Sequence, residues 1–147
     1  MAEVAFHFNV PERTAYTCRL LRKVWRSGQR AHVAVDAALL HALDVALWTF
    51  AAEEFVPHAT QHAPPHVLSR SPIVLADESV AAPTGAIWVN LLPHVPEAWL
   101  AAPPGQRIIE VVTQDETDRQ GARQRWRLYA GQGHQLVRHD LAAAQPT

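Results

Sequence analysis

Along residues 4–9, VAFHFN, Val4, Phe6 and Phe8 fall on one side and Ala5 and His7 on the other. That period of two predicts a strand. The period then changes. Between Pro11, where a helix can begin, and Gly28, where one can end, Cys18, Leu21, Val24 and Trp25 recur at helical spacing. AHVAV (31–35) reads as a second strand, and Asp36 suits the N-cap of a second helix, AALLHALDVALW. The first fifty residues thus read β-α-β-α. Residues 59–71, ATQHAPPHVLSRS, read as a loop. Two apolar runs follow, PIVLA (72–76) and AIWVNLL (86–92), with an AAPTG turn between them. A short helix is expected after Pro96. RIIEVVT (107–113) is a strand rich in branched residues. A last helix is expected over Asp115–Ala130, with acids in its first turn and arginines later, as the helix dipole favours. The tail, LAAAQPT, is expected to fray. Strands alternating with helices predict an α/β fold: a mostly parallel central sheet flanked by helices, in a Rossmann-like three-layer domain. One domain over 1–141 is expected, with 142–147 as its tail.

Composition narrows the class. The chain has 147 residues, 48% hydrophobic and 18% charged, which suits a globular domain with a sizeable core. No apolar run approaches the roughly 20 residues of a membrane span. The first residues, MAEVAFHFNVPER, do not resemble a secretory signal. Cys18 is the single cysteine, so no disulfide can form within the chain, and a cytoplasmic setting is expected. A net charge of −1 argues against wholesale binding of nucleic acid or anionic membrane. The charge is uneven, however. From Arg119 onward there are five arginines and one acid, Asp140.

The usual chemistry of a doubly wound domain is missing. The junction after the first strand, NVPERTA, has no glycine, and no GxxxxGK[ST] loop occurs. GQG (131–133) follows a helix, so it is misplaced for cradling a phosphate. No nucleotide or other cofactor is expected. His58, His62 and His66 recur every fourth residue, but Pro64 and Pro65 interrupt them and no cysteine or acid lies close in sequence. A solvated loop is expected there rather than a metal site. Cys18 reads as a small core residue. Glu53 and Glu54 are adjacent, so on a helix they face different ways. No GxSxG elbow and no HxE…CxxC pattern appears, and no enzymatic site is expected.

Two constellations remain. At about 100° per residue, Leu39, Leu40, Leu43, Leu47 and Phe50 share one arc of the second helix, its expected buried face. Trp48 lies off that arc. Phe55, seven residues on, would continue the Trp48 stripe. Both aromatics are expected to point away from the sheet, either to be covered by the 59–71 loop or to anchor a partner. The second constellation is DRQGARQRWRLYAGQG (118–133). Arg119, Arg123, Trp126 and Arg127 share an arc of roughly a quarter turn, with Ala122 and Tyr129 to one side, toward a core. Three guanidinium groups around an indole suit an acidic, partly aromatic ligand. The same residues also fit a solvated basic face with Trp126 in the core. They fit single-stranded nucleic acid too, with Trp126 stacking on bases.

Several stretches resemble one family, the chi subunit of bacterial DNA polymerase III holoenzyme. They are AFHF, VWRSGQR (24–30), LDVALWTFAAEEFVPH (43–58), IIEVV and ARQRWRLYAGQG (122–133). The resemblance implies a non-catalytic adaptor with a nucleotide-binding type of fold but no nucleotide. It implies one-to-one pairing with the psi subunit of the clamp loader, with Trp48 and Phe55 at that interface. It also implies capture of the C-terminal tail of single-stranded DNA-binding protein (SSB), which is acidic and ends in an apolar-aromatic residue with a free carboxylate. The tail-binding positions match Arg119, Arg123, Trp126 and Arg127, so DNA would be met only indirectly. The alternative is a module that binds single-stranded nucleic acid directly. TQDETD (113–118) is more acidic than the family's approach to this helix, and RHDLAAAQPT departs from its pattern.

Overall fold

The computed structural model describes residues 1–49 and 55–142. The first strand, β1 (Glu3–Val10), keeps the predicted alternation, with Val4 and Phe6 buried. Helix α1 (Arg13–Arg26) starts at Glu12, whose carboxylate accepts the Ala15 N–H. It ends before Gly28, which takes φ +78°, a left-handed conformation that glycine adopts without steric cost. Strand β2 (Ala31–Ala34) leads into α2 (Ala37–Thr49). As expected, Asp36 caps α2, accepting the Leu39 N–H at 2.9 Å. Then follow β3 (His58–Thr60), α3 (Pro65–Arg70), β4 (Ile73–Ala76) and β5 (Ile87–Asn90). A 3-10 helix (Glu97–Ala101), β6 (Arg107–Thr113), α4 (Glu116–Gly131) and β7 (Gln135–Asp140) complete the described chain.

The seven strands form one sheet in the order β3-β4-β2-β5-β6-β1-β7, every pair parallel. The α/β three-layer architecture is therefore as the pattern predicted. Its two faces follow from chain direction. From β1 to β2 and from β2 to β3 the chain moves toward one edge, and α1 and α2 make those crossovers. From β6 to β7 it moves the other way, through α4. Right-handed crossovers in opposite directions must lie on opposite faces. Two cores result. Cys18, Leu21 and Val24 of α1 and Leu40, Leu43 and Leu47 of α2 pack on one face. Ala122 and Tyr129 of α4, with Trp99 and Trp88, pack on the other. Leu39 is only partly buried at the edge of its core. Phe50, Glu53 and Glu54 lie outside the described residues, as does the expected frayed tail beyond Ala142.

Two segments differ from the reading of the pattern. The expected loop 59–71 contains most of β3 and all of α3. Pro65 occupies the first turn of α3, where a missing N–H costs nothing. The prolines therefore start a helix there. The edge strand β7 was not expected at all. Its residues show no apolar face, and it becomes a strand by pairing along the length of β1, from Glu3↔Gln135 to Phe8↔Asp140. Near its end β1 slips register against β6 between His7 and Val10. Asn9 sits in that irregularity at φ +62°, and its amide donates to Asp140 Oδ1 at 2.8 Å. Asparagine is among the few residues that tolerate such a φ.

Candidate functional site: a cationic groove beside α4

The acids before α4 are consumed in building it. Asp115 caps the helix by accepting the Asp118 N–H. The Asp118 carboxylate accepts from the Thr113 N–H and hydroxyl and pairs with Arg13 at 2.6 Å. TQDETD is thus a capping and tethering device, favoured by the positive end of the helix dipole.

The inner side of α4 carries a feature absent from the sequence reading. Arg125 is only 2% exposed and Glu110, in the centre of β6, is fully buried. Arg125 Nε donates to Glu110 Oε1 at 2.9 Å, and its Nη1 donates to the Pro93 carbonyl at 3.0 Å. Tyr129 and Asn90 donate to Glu110 Oε2 at 2.7 and 2.8 Å. Burial raises the Glu110 carboxyl above its usual range, opposed chiefly by the charge of Arg125. Burial beside Glu110 raises the Tyr129 phenol as well. The wheel offered the signal, since Arg125 lies on the Ala122–Tyr129 arc. An acid inside an otherwise apolar strand, RIIEVVT, was the matching half. The network holds α4 in one rotation about its axis, with the opposite arc turned outward.

That arc borders an open groove of about 450 Å³. Arg119, Arg123, Trp126 and Arg127 all line it, so the structure brings the four predicted residues together. The arginines are exposed and Trp126 is half-buried. Trp126 packs with one part of its ring against the core beneath α4 and presents the rest to the groove. The floor comes from residues the pattern did not single out: Phe6 and Phe8 of β1, and Val112 of β6. Trp126 packs on Phe6 with ring centres 5.1 Å apart. A fourth guanidinium, Arg138 of β7, lies 5.4 Å from the Phe8 ring centre and 5.8 Å from that of Trp126. Arg123 is 3.4 Å from Glu116, both side chains well exposed, a pairing of little strength in water. The groove thus offers charge at its rim and aromatic surface at its base. Phe6 and Phe8 were visible as one face of an alternating strand, but only the sheet order sets them beside α4.

The other constellation lies on the opposite face of the sheet, with α2. Trp48 is 61% and Phe55 44% exposed. The 59–71 segment therefore does not cover them. They stack on each other, with centroids 4.6 Å apart and planes 26° apart. His58 sits against both, at 5.5 and 5.6 Å. It was expected in a solvated loop, yet its side chain is 1% exposed. Its Nδ1 contacts the Val56 carbonyl at 2.8 Å and its Nε2 contacts Asp44 Oδ1 at 2.9 Å. Among the described residues no group of three or more His, Cys, Asp or Glu is placed to hold a metal ion. None of the described helices is long and apolar enough to cross a membrane.

Fold and site together define a class: a parallel α/β domain with a cationic, aromatic-floored groove on one face and an exposed aromatic pair on the other. Comparison with known proteins makes the class particular. Residues 1–137 match the family model for the DNA polymerase III chi subunit, HolC. The chain is also 30% identical over 130 residues to the DNA polymerase III subunit chi of Pseudomonas aeruginosa (strain PAO1), covering 88% of this chain and 87% of that one. The chain belongs to the DNA polymerase III chi subunit family and has a replication accessory role.

Proposed function

We propose that this protein is a non-catalytic adaptor of the clamp-loader complex. In this reading it works in the cytoplasm and links the psi subunit to the C-terminal tail of SSB. The observation that carries the proposal is the α4 groove. Arg119, Arg123, Arg127 and Arg138 surround a floor of Phe6, Phe8 and Trp126. An acidic peptide ending in an aromatic residue with a free carboxylate complements both parts. Arginine pairs with carboxylates through two parallel hydrogen bonds. The floor offers an apolar and aromatic seat for the terminal side chain. The outward Trp48–Phe55 stack, backed by His58, is the proposed psi contact, since exposed aromatic pairs act as anchors in protein interfaces. The two surfaces lie on opposite faces of the sheet, so both partners can be held at once. Each tail contact is weak and salt-sensitive, and an SSB tetramer raises the effective concentration through its several tails.

The test is fluorescence anisotropy of a labelled peptide copying the SSB tail, titrated with this protein at low and moderate salt. Saturable binding is expected, weakening with salt. Arg123→Ala and Trp126→Ala should each reduce affinity by about tenfold or more, as removal of an interface anchor does. Loss of the exposed Arg123 side chain should leave thermal stability unchanged, whereas Trp126→Ala also gives up its packing on Phe6 and is compared at a temperature where it stays folded. Absence of binding by folded protein at low salt would refute tail capture. Binding of bare oligonucleotide, lost in the same variants, would favour the direct nucleic-acid reading instead.

A further inference from the structure

The open edge of β7 borders the groove, and its backbone has a defined orientation. The Gln135 N–H donates to the Ala2 carbonyl at 2.9 Å and the Leu141 N–H to the Phe8 carbonyl at 3.1 Å. Backbone direction alternates along a strand. Odd-numbered residues of β7 therefore bond to β1, while Leu136 and Arg138 turn their N–H and C=O groups outward. Among the described residues β7 pairs with β1 alone and ends the sheet. The other edge strand, β3, has only three residues. The side chain of Leu136 packs into the core beneath α4, and the Arg138 guanidinium lies over Phe8 and Trp126. One residue thus supplies a cation to the groove and an open backbone pair at its border.

An exposed strand edge is a template for another strand. The edge has a matching occupant. Four arginines line the adjoining groove, and an extended acidic peptide would meet them with one row of side chains while its backbone faces β7. We infer that the acidic, carboxylate-ended peptide is bound by strand addition: it pairs with the open backbone of Leu136 and Arg138 as an eighth strand and seats its terminal residue in the groove. This rests on the tail-capture reading and specifies how that peptide is held. Backbone pairing gives affinity that does not depend on peptide sequence. The groove then selects the charged, aromatic end.

The test alters the peptide and leaves the protein intact. A labelled acidic peptide ending in phenylalanine with a free carboxylate is compared with a series in which one backbone nitrogen at a time is methylated. Strand addition predicts a loss of about tenfold, on the scale of one or two lost hydrogen bonds, at alternate positions and little change between them. It also predicts that the Arg138 amide exchanges with solvent more slowly when the unmodified peptide is bound. Uniform tolerance of methylation, losses without a period of two, or an unprotected Arg138 amide would overturn strand addition while leaving tail capture standing. No binding of the unmodified peptide would overturn both.

Discussion

Replacing Arg125 with methionine isolates what fixes the groove-bearing helix. Methionine keeps most of the side-chain volume, so no large cavity opens. What disappears is the charge against Glu110 and the bond to the Pro93 carbonyl. Both charged side chains are nearly inaccessible, 3% and 0% exposed, so water does not replace the lost partner. Removing one member of a buried pair costs about 3–5 kcal/mol, a large part of the roughly 5–15 kcal/mol that holds a domain folded. At about 2–4 °C per kcal/mol for a chain of this size, the melting temperature should fall by about 10 °C. The loss should depend on pH. Burial already raises the Glu110 pKa and Arg125 opposes that rise, so the variant raises it further. Between the unfolded and raised folded values the native state holds the extra proton, and stability falls as pH rises through that window. The deficit should thus be greater at about pH 8 than at about pH 5. Urea denaturation of both proteins at the two pH values measures it. A deficit below about 1 kcal/mol at both, or one independent of pH, would refute the assignment of the buried ion pair as the clamp on α4. Changing Glu110→Gln in the same background should recover part of the loss, because the neutral amide leaves no buried charge unpaired while its oxygen still accepts from Tyr129 and Asn90.

Three further outcomes follow from the geometry. Trp48→Ala should weaken association with psi at least tenfold, as loss of an aromatic anchor does, while barely changing stability, because Trp48 is 61% exposed; undiminished co-purification with psi would exclude the α2 face as its contact. Gly121→Ala should fail to gain the roughly 1 kcal/mol usual for that change in a helix. A Cβ there would sit 3.2 Å from Arg125 Nη1, a group held by Pro93 and Glu110, and a full gain in denaturation would show that Arg125 yields easily. Burial lowers the His32 pKa from 6.5 to about 4, so its contribution to stability is complete above 6.5 and declines as pH falls toward 4. His32→Leu should remove up to about 3 kcal/mol of that acid-side loss. His7, also lowered to about 4, keeps its share, and an unchanged pH–stability curve would contradict the assignment.

The sequence alone determined the layer architecture, most of the elements and the quarter-turn arc of Arg119, Arg123, Trp126 and Arg127. Local rules suffice for these, because helical and strand periods are properties of a few consecutive residues. Asp36 as a cap and Gly28 as a stop are equally local. The wheel also told that Trp48 lies off the buried arc; Phe55 is exposed as well, but it stands outside α2, so the helical period did not decide its place. Only the tertiary structure decided what the arc faces. Phe6 and Phe8 form the groove floor because β1 lies between β6 and β7, an order that no local pattern encodes. Glu110 and Arg125, fifteen residues apart, looked like a strand defect and one more surface arginine until the β6–α4 crossover buried both together. β7 has no apolar face of its own; its strand conformation exists because β1 offers it hydrogen bonds along its whole length. His58 likewise left its expected loop for a buried site because Asp44 and the Val56 carbonyl meet its two nitrogens. Apart from the Val56 carbonyl, two residues from His58, the deciding partners lie on other elements, and chain folding, not periodicity, brings them within bonding distance.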